Sequence, residues 1–526
     1  MSQVDGNYQL QHPPKGGAVI RMYNPGFGDC FLLSFNGNDN NPRYLLLDFG
    51  AHALYTGYSP LLDKIAKDIL SVTNNHLHVV ALTHQHQDHI SGFHFSEDVF
   101  ESNDAKIDQL WLAWPENDQD PDAKELIRRY PKRFALKLAY ERLETLGRVG
   151  LGLGFENILG FEGSIILKNL DKEKEGFLEL AARYNNQRPY EFLIKKAGPP
   201  SPYLEPKDEP LLMRDVDEIN FFILGPTRDI SCFGGEGPSE GPSFSVPIID
   251  KETSILIAIQ AIDNVDNLTD EDKEKYWRSL PFERGSPYRV DFKKLKKLEE
   301  KGLVVKKQEN SEEKKLLHYL EIKKFFDDNY GFSSIDKDAL EYRKIDNDWI
   351  AGILSIALKN GEFVNNSSLV FAIELSCFDE PKYLLFVGDA QEANWNSWKE
   401  NAKNIIGKTI FYKTGHHGSH NATLPEVVDK MPAGLVAMIS VDEDWAHKRK
   451  PKPWDHPDPN IMEGLKSKTK GKILRTDQIP NINNDLIKPP EANNINDWNT
   501  FKKKVQWDQS GDKLWIQYTI SKDSIE

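Results

Sequence analysis

Thr83-His84-Gln85-His86-Gln87-Asp88-His89 places four ligand-type side chains within six residues. It follows directly on residues 78–82, which read as a buried strand. In an extended lead-in, alternate side chains share one side, so His84 and His86 point together. The turn that follows carries Asp88 and His89 round to a second point. Imidazoles and a carboxylate disposed in this way suit two neighbouring divalent cations. A solvated polar loop is the plain alternative. With only 14 histidines in the whole chain, three of them in one such loop by chance is the weaker reading.

Upstream, residues 19–22, 31–35 and 44–47 are short β-rich runs, separated by the glycine-rich turn Pro25-Gly26-Phe27-Gly28-Asp29 and by residues 36–42. Residues 61–72 have helical spacing. Strand, helix and strand thus lead to a polar cluster at a strand end, the usual site position in an α/β fold. Downstream, residues 219–224, 369–375, 383–387, 409–413, 435–441 and 514–520 read as strands. A helix near 460–466 leads to a short run at 472–475.

Between these stretches the character changes. Residues 119–215 are rich in Lys, Glu, Arg and Leu at helical spacing. A second irregular block, 226–345, opens on a Gly/Pro/Ser-rich segment and carries 11 lysines between positions 293 and 324. Interleaved glutamates (Glu299, Glu300, Glu309, Glu312, Glu313) make that run a solvated helix face rather than a nucleic-acid site. The expected organisation is one α/β core, about 17–115, 216–225 and 360–480, split by insertions at about 119–215 and 226–345. Residues 481–526 form a C-terminal extension ending in a strand.

Bulk composition narrows the class. Hydrophobic residues at 39% and charged residues at 28% describe a folded chain, and the formal charge of −15 disfavours a general nucleic-acid binder. Residues 1–10 lack a signal-peptide layout, and the longest apolar stretch, 349–358, is too short to span a bilayer. Cys30, Cys232 and Cys377 have no metal or redox spacing, which suits a reducing compartment. A cytoplasmic protein with no membrane contact is expected.

Two later clusters resemble the first in placement. Leu384-Leu385-Phe386-Val387-Gly388-Asp389 sets a carboxylate just past an apolar strand, where it can bridge two metals; strand–Gly–Asp is equally an ordinary turn. Thr414-Gly415-His416-His417-Gly418-Ser419-His420 sets three histidines past another strand, among glycines whose exposed N–H groups suit phosphate.

With these motifs in order, the chain resembles the metallo-β-lactamase superfamily, and within it the hydrolase domain of the DNA-uptake protein ComEC. Gly26-Phe27-Gly28-Asp29, Leu47-Asp48-Phe49-Gly50, the His84–His89 cluster, Gly388-Asp389 and His416-His417-Gly418-Ser419 carry the resemblance. Residues 365–370, Asp455-His456-Pro457-Asp458-Pro459 and Arg475-Thr476-Asp477 add to it. It covers about 17–115 and 360–480. The resemblance implies an αββα sandwich with two large insertions, and a site for two divalent ions, Zn or Mn with Mg as a third option. The metal ligands would be His84, His86, Asp88, His89, Asp389 and His416, although either His416 or His417 can fill the last place. Asp48 would orient a ligand imidazole, and Asp88, His417, His420 and His456 would serve catalysis, with Ser419 at the substrate. Two departures stand out. No membrane segments accompany the domain, and Asn365-Asn366 stands where the superfamily supplies another histidine.

The expected function is a metal-dependent phosphodiesterase or nuclease acting on DNA, in a setting such as bacterial phage defence. Two other readings stay open. One is hydrolysis of a small nucleotide or phosphocholine-type ester, which the acidic charge favours. The other is a non-catalytic protein whose insertions bind a protein partner.

Overall fold

The computed structural model describes residues 10–52, 55–129, 187–234, 363–449, 453–481, 483–489 and 495–524. The lysine run at 293–324 and most of both expected insertions lie outside these residues.

The protein is mixed α/β. Strands β1 (Ala18–Tyr23), β2 (Cys30–Asn36), β3 (Pro42–Phe49), β4 (His76–Leu77), β5 (Val79–Ala81), β6 (Lys106–Ile107) and β7 (Leu110–Trp111) make up the N-terminal part. Then follow β8 (Leu211–Met213), β9 (Val216–Gly225), β10 (Val370–Leu375), β11 (Lys382–Phe386), β12 (Thr409–Lys413), β13 (Val436–Ile439), β14 (Ile473–Arg475), β15 (Val505–Trp507) and β16 (Trp515–Ile520). Two seven-stranded sheets result, ordered β15-β16-β1-β2-β3-β5-β7 and β14-β13-β12-β11-β10-β9-β8, with β4 and β6 paired apart.

Both sheets follow one plan. In the first, pairing is antiparallel as far as β3 and parallel through β5 and β7. In the second it is antiparallel from β8 to β11 and parallel through β12, β13 and β14. Parallel pairing forces a crossover, and the loops that leave the C-terminal ends of such strands make the usual binding crevice.

Strand sequences explain the layering. Leu45 and Leu47 of β3 join Phe371, Ile373, Leu384 and Phe386 in one apolar cluster, whereas Leu46 belongs to a second and Tyr383 and Leu385 to a third. Alternate residues thus bury against opposite neighbours. The two sheets face each other, and helices cover both outer surfaces. Strands buried on both faces read as continuous apolar runs, which is why they are visible in the sequence. The helix Tyr58–Val72 covers the first sheet with Leu62, Ile65, Ala66 and Ile69; Pro459–Thr469 covers the second with Ile461 and Leu465. No helix among the described residues is long and apolar enough to cross a membrane.

Two boundaries differ from expectation. β8 and the helix Gln187–Ala197 fall inside the segment expected to be inserted, yet β8 extends the second sheet and Phe192 and Leu193 pack with the first sheet's outer cluster. The C-terminal strand is no appendage either. β16 pairs with the whole of β1, from Ala18 opposite Ile520 to Tyr23 opposite Trp515. Such pairing between chain ends leaves no local mark in the sequence.

Candidate metal centre

The C-terminal ends of β3 and β5 in one sheet and of β11, β12 and β13 in the other supply the site. Past β5, the chain turns at His84 and His86 into the short helix Gln87–Ile90. That turn sits hard against the end of β3: a Cβ on Gly50 would stand 2.4 Å from the Gln87 carbonyl oxygen, so only glycine fits there. Asp48, beside it, holds a left-handed φ of 55°. It accepts hydrogen bonds from the Thr83 N–H at 2.8 Å and the Thr83 hydroxyl at 2.8 Å. It also accepts one from His89 Nδ1 at 2.8 Å.

Asp48 thereby fixes two imidazoles. A carboxylate can only accept, so the His89 ring proton lies on Nδ1 and the Nε2 lone pair points away from Asp48. The Thr83 hydroxyl gives its proton to Asp48 and accepts from His84 Nδ1 at 3.0 Å, which frees His84 Nε2 in the same way. His417 follows the same rule: Nδ1 meets the Ser440 carbonyl at 2.7 Å, and Nε2 lies 3.0 Å from Asp88 Oδ2. These proton positions follow from the hydrogen-bond network.

The liberated lone pairs converge on two points. Asp88, His89, Asp389 and His417 form one group; His84, His86 and Asp389 form the other; within each, one donor atom per residue lies within 4.8 Å of the rest. His84 Nε2 is 3.0 Å from His86 Nδ1 and 3.9 Å from Asp389 Oδ2. His89 Nε2 is 3.1 Å from Asp389 Oδ2 and 3.9 Å from Asp88 Oδ2. Asp88 Oδ1, His89 Nε2 and both Asp389 oxygens are buried without a well-formed hydrogen bond among the described residues. Buried polar atoms are rarely left so, and lone pairs crowded around a common point call for a cation. These donors fit divalent metal, with Asp389 common to both groups.

Charge leads to the same conclusion. Asp29, Asp48, Asp88 and Asp389 are all buried here, and the one lysine among them, Lys413, is buried as well. Lys413 pairs closely with Asp29, donates to the Gly388 carbonyl at 3.0 Å and stands 3.6 Å from Asp389 Oδ1. Burial would push its pKa down, but Asp29 and Asp389 hold it above the usual lysine value. Balancing one carboxylate, Lys413 leaves three for other cations.

The same charges shift the pKa values of the imidazoles and carboxylates around them. Burial opposes charge on His89, yet Asp389, Asp48 and Asp88 raise its pKa well above the ordinary value. His417 is likewise raised against burial by its bond with Asp88 and by Asp29. Burial pushes Asp88 and Asp389 up, but the charge on His89 outweighs it and both fall below the usual carboxylate range, with His417 aiding the first and His416 the second. His84 is depressed by burial and by its neighbours His89 and His86.

His84, His86, Asp88, His89 and Asp389 thus come together as expected from sequence. For the last place, left open between two residues by the sequence, the geometry groups His417 rather than His416 with Asp88, His89 and Asp389; both histidines adopt left-handed backbone (φ 43° and 52°) and the chain turns between them. His416 Nε2 lies 3.8 Å from Asp389 Oδ2 with Nδ1 on the Ser419 hydroxyl at 3.1 Å, so it flanks the centre.

Asn366, expected with Asn365 beside the metal or substrate, accepts at Oδ1 from the Gln391 and Asn394 N–H groups, each at 3.2 Å, and caps the helix Glu392–Trp398. That oxygen is committed to backbone. Asn365 keeps a buried Oδ1 with no hydrogen bond among the described residues. Ser419 donates to Asn421 Oδ1 at 2.8 Å, and His420 is exposed. His456 packs its ring 5.4 Å from His416, and burial together with His416 and His417 depresses its pKa well below the ordinary value.

Sequence reading overlooked Lys413, Thr83, Ser440 and the ionic role of Asp29. A charged residue closing an apolar strand was the available sign for Lys413. A further group, His76, His78 and Asp108, lies at the opposite end of β5. There His78 Nδ1 accepts the Tyr44 N–H at 3.1 Å, which puts the ring proton on Nε2 and leaves no nitrogen for metal. A scan against protein-family models and a search of curated proteins both return no match.

Proposed function

We propose that this chain is a metal-dependent phosphodiesterase with the metallo-β-lactamase sandwich fold, acting on nucleic acid, DNA first. One observation carries the reading: two groups of buried donors share Asp389 where the strand ends of two facing sheets meet, and Asp88 Oδ1, His89 Nε2 and both Asp389 oxygens lack a well-formed hydrogen bond among the described residues. The helix–sheet–sheet–helix layering and the ComEC-like motif order support the fold assignment. Zn²⁺, Mn²⁺ or Mg²⁺ bound by His84, His86 and Asp389, and by Asp88, His89, Asp389 and His417, would lower the pKa of water and offset charge at the attacked phosphorus.

The protein's own groups do the positioning. Asp48 holds the His89 proton at Nδ1 and, through Thr83, the His84 proton at Nδ1. Ser440 does the same for His417. Lys413 faces Asp389 Oδ1 at 3.6 Å. His456, neutral at physiological pH, offers a hydrogen bond to a phosphate oxygen rather than a deliverable proton. A non-catalytic role has no use for so complete a donor set.

Net charge of −15 favours a second reading, a small phosphodiester as substrate. Purified protein should be given Mn²⁺, Mg²⁺ or Zn²⁺ and assayed on plasmid DNA, single strands, RNA and cyclic nucleotides in parallel. DNA cleavage that stops with chelator and weakens steeply with salt is expected. Hydrolysis of cyclic nucleotides without cleavage of any polynucleotide would transfer the assignment to the small ester; no hydrolysis with any metal would overturn both.

A further inference from the structure

A chain of ring contacts leads outward from the metal centre to one arginine. The Phe27 ring lies 4.3 Å from that of His417, the Trp445 ring lies 4.9 Å from Phe27, and the Arg449 guanidinium carbon sits 4.0 Å above Trp445. The element bearing Trp445 is firmly anchored. Asp442 caps the short helix Glu443–His447 by accepting the Trp445 N–H at 2.9 Å, and it also accepts the Tyr55 hydroxyl at 2.8 Å. Arg475 grips Glu443 at 2.7 Å.

Arg449 lacks the partner that most described arginines have. Arg21, Arg43, Arg228 and Arg475 each face a carboxylate, whereas Arg449 and the exposed Arg214 form no ion pair among the described residues; of these two, Arg449 is the one stacked on an indole. Its Nε donates to the Trp445 carbonyl at 3.2 Å, and its terminal amino groups make no hydrogen bond there. The side chain is only partly exposed. The charge of Asp442 offsets part of the cost of burying this cation, but Asp442 is committed to the Trp445 N–H and the Tyr55 hydroxyl and makes no ion pair with Arg449, so the guanidinium can still take an anion from outside. A guanidinium stacked on an indole keeps its edge free, and that edge matches a phosphate by two parallel hydrogen bonds. Lys448 beside it is exposed.

We propose that Arg449, held flat over Trp445, grips a backbone phosphate of a single nucleic-acid strand and seats that strand beside the metal centre. This rests on the phosphodiesterase reading above and specifies the polynucleotide arm of it. Arg449 is a binding residue for the strand, remote from the reacting atoms.

The test is fluorescence anisotropy of a labelled single-stranded DNA with cleavage-resistant phosphorothioate linkages. Metal-loaded parent, Arg449→Gln and Arg449→Lys are titrated across a range of salt. Arg449→Gln should weaken binding about tenfold and make the log–log salt slope shallower by about one, the signature of one lost phosphate contact. Arg449→Lys should restore the slope while recovering only part of the affinity, because a point charge replaces the planar fork. Parent-like affinity and slope in Arg449→Gln, with the parent binding the strand, would overturn the role of Arg449 and leave the phosphodiesterase reading intact. No binding by the parent would overturn the polynucleotide reading itself.

Discussion

Asp48→Asn is the most informative single change, because it alters no metal ligand and almost no volume. Asp48 accepts from the Thr83 N–H, the Thr83 hydroxyl and His89 Nδ1, all at 2.8 Å and all buried. An amide has one acceptor oxygen, so one of these directions must face an NH₂ group. If that group faces His89, the ring proton moves to Nε2 and the ligand lone pair is lost. If it faces the Thr83 N–H, two buried donors oppose each other at a cost of about 1–3 kcal/mol. Loss of a partner that orients a ligand lowers metal affinity roughly 10- to 100-fold, or about 1.4–2.8 kcal/mol. Competition with a chromophoric chelator measures that loss, and the metal-induced rise in Tm should shrink in parallel. Folded Asp48→Asn with parental metal affinity would refute the reasoning that Asp48 sets the ligand tautomers.

Other perturbations separate the two ion positions and test the pH behaviour. Asp389 serves both donor groups and His84 only one, so Asp389→Ala should weaken both binding steps in a calorimetric metal titration. His84→Ala should abolish one step and spare the other; two intact steps in Asp389→Ala would exclude a shared carboxylate. The position held by His84 and His86 has fewer protein donors and should be the weaker, so equally tight sites in the parent would count against this donor arrangement. His78 is depressed to about 4 by burial, with His76 and Arg43 adding to the effect. Its folded value therefore lies below the unfolded value of about 6.5, and the unfolded chain binds more protons between these limits. Stability should fall as pH drops through that window. His78→Asn keeps an acceptor for the Tyr44 N–H but cannot titrate, so urea melts of parent and variant should diverge from pH 6.5 towards 4; parallel curves would contradict the burial argument.

How much of this was legible in the sequence follows from what each feature depends on. Residues 409–413 coincide with β12, and the runs at 369–375 and 383–387 fall within a residue of β10 and β11. Burial on both faces had made these runs apolar apart from Glu374, Thr409 and Lys413. Strands of two or three residues, such as β7, β8 and β15, are too short for any periodicity to register. The histidine cluster was readable because its ligands are adjacent in sequence and their chemistry is unusual. The choice between His416 and His417 was not, since it depends on two consecutive left-handed residues that no local residue preference announces. The Asp29–Lys413 pair joins opposite sheets, and only tertiary packing brings it together.

Elemental analysis of the purified protein tests the central claim most directly. The parent should carry divalent metal through two binding steps, and the Asp88→Ala/His89→Ala double variant, verified as folded by circular dichroism, should lose the ion of the four-donor group. Hydrolytic activity should fall with it. Unchanged metal content in that folded variant would contradict the account, because it would place the metal somewhere other than where these lone pairs converge.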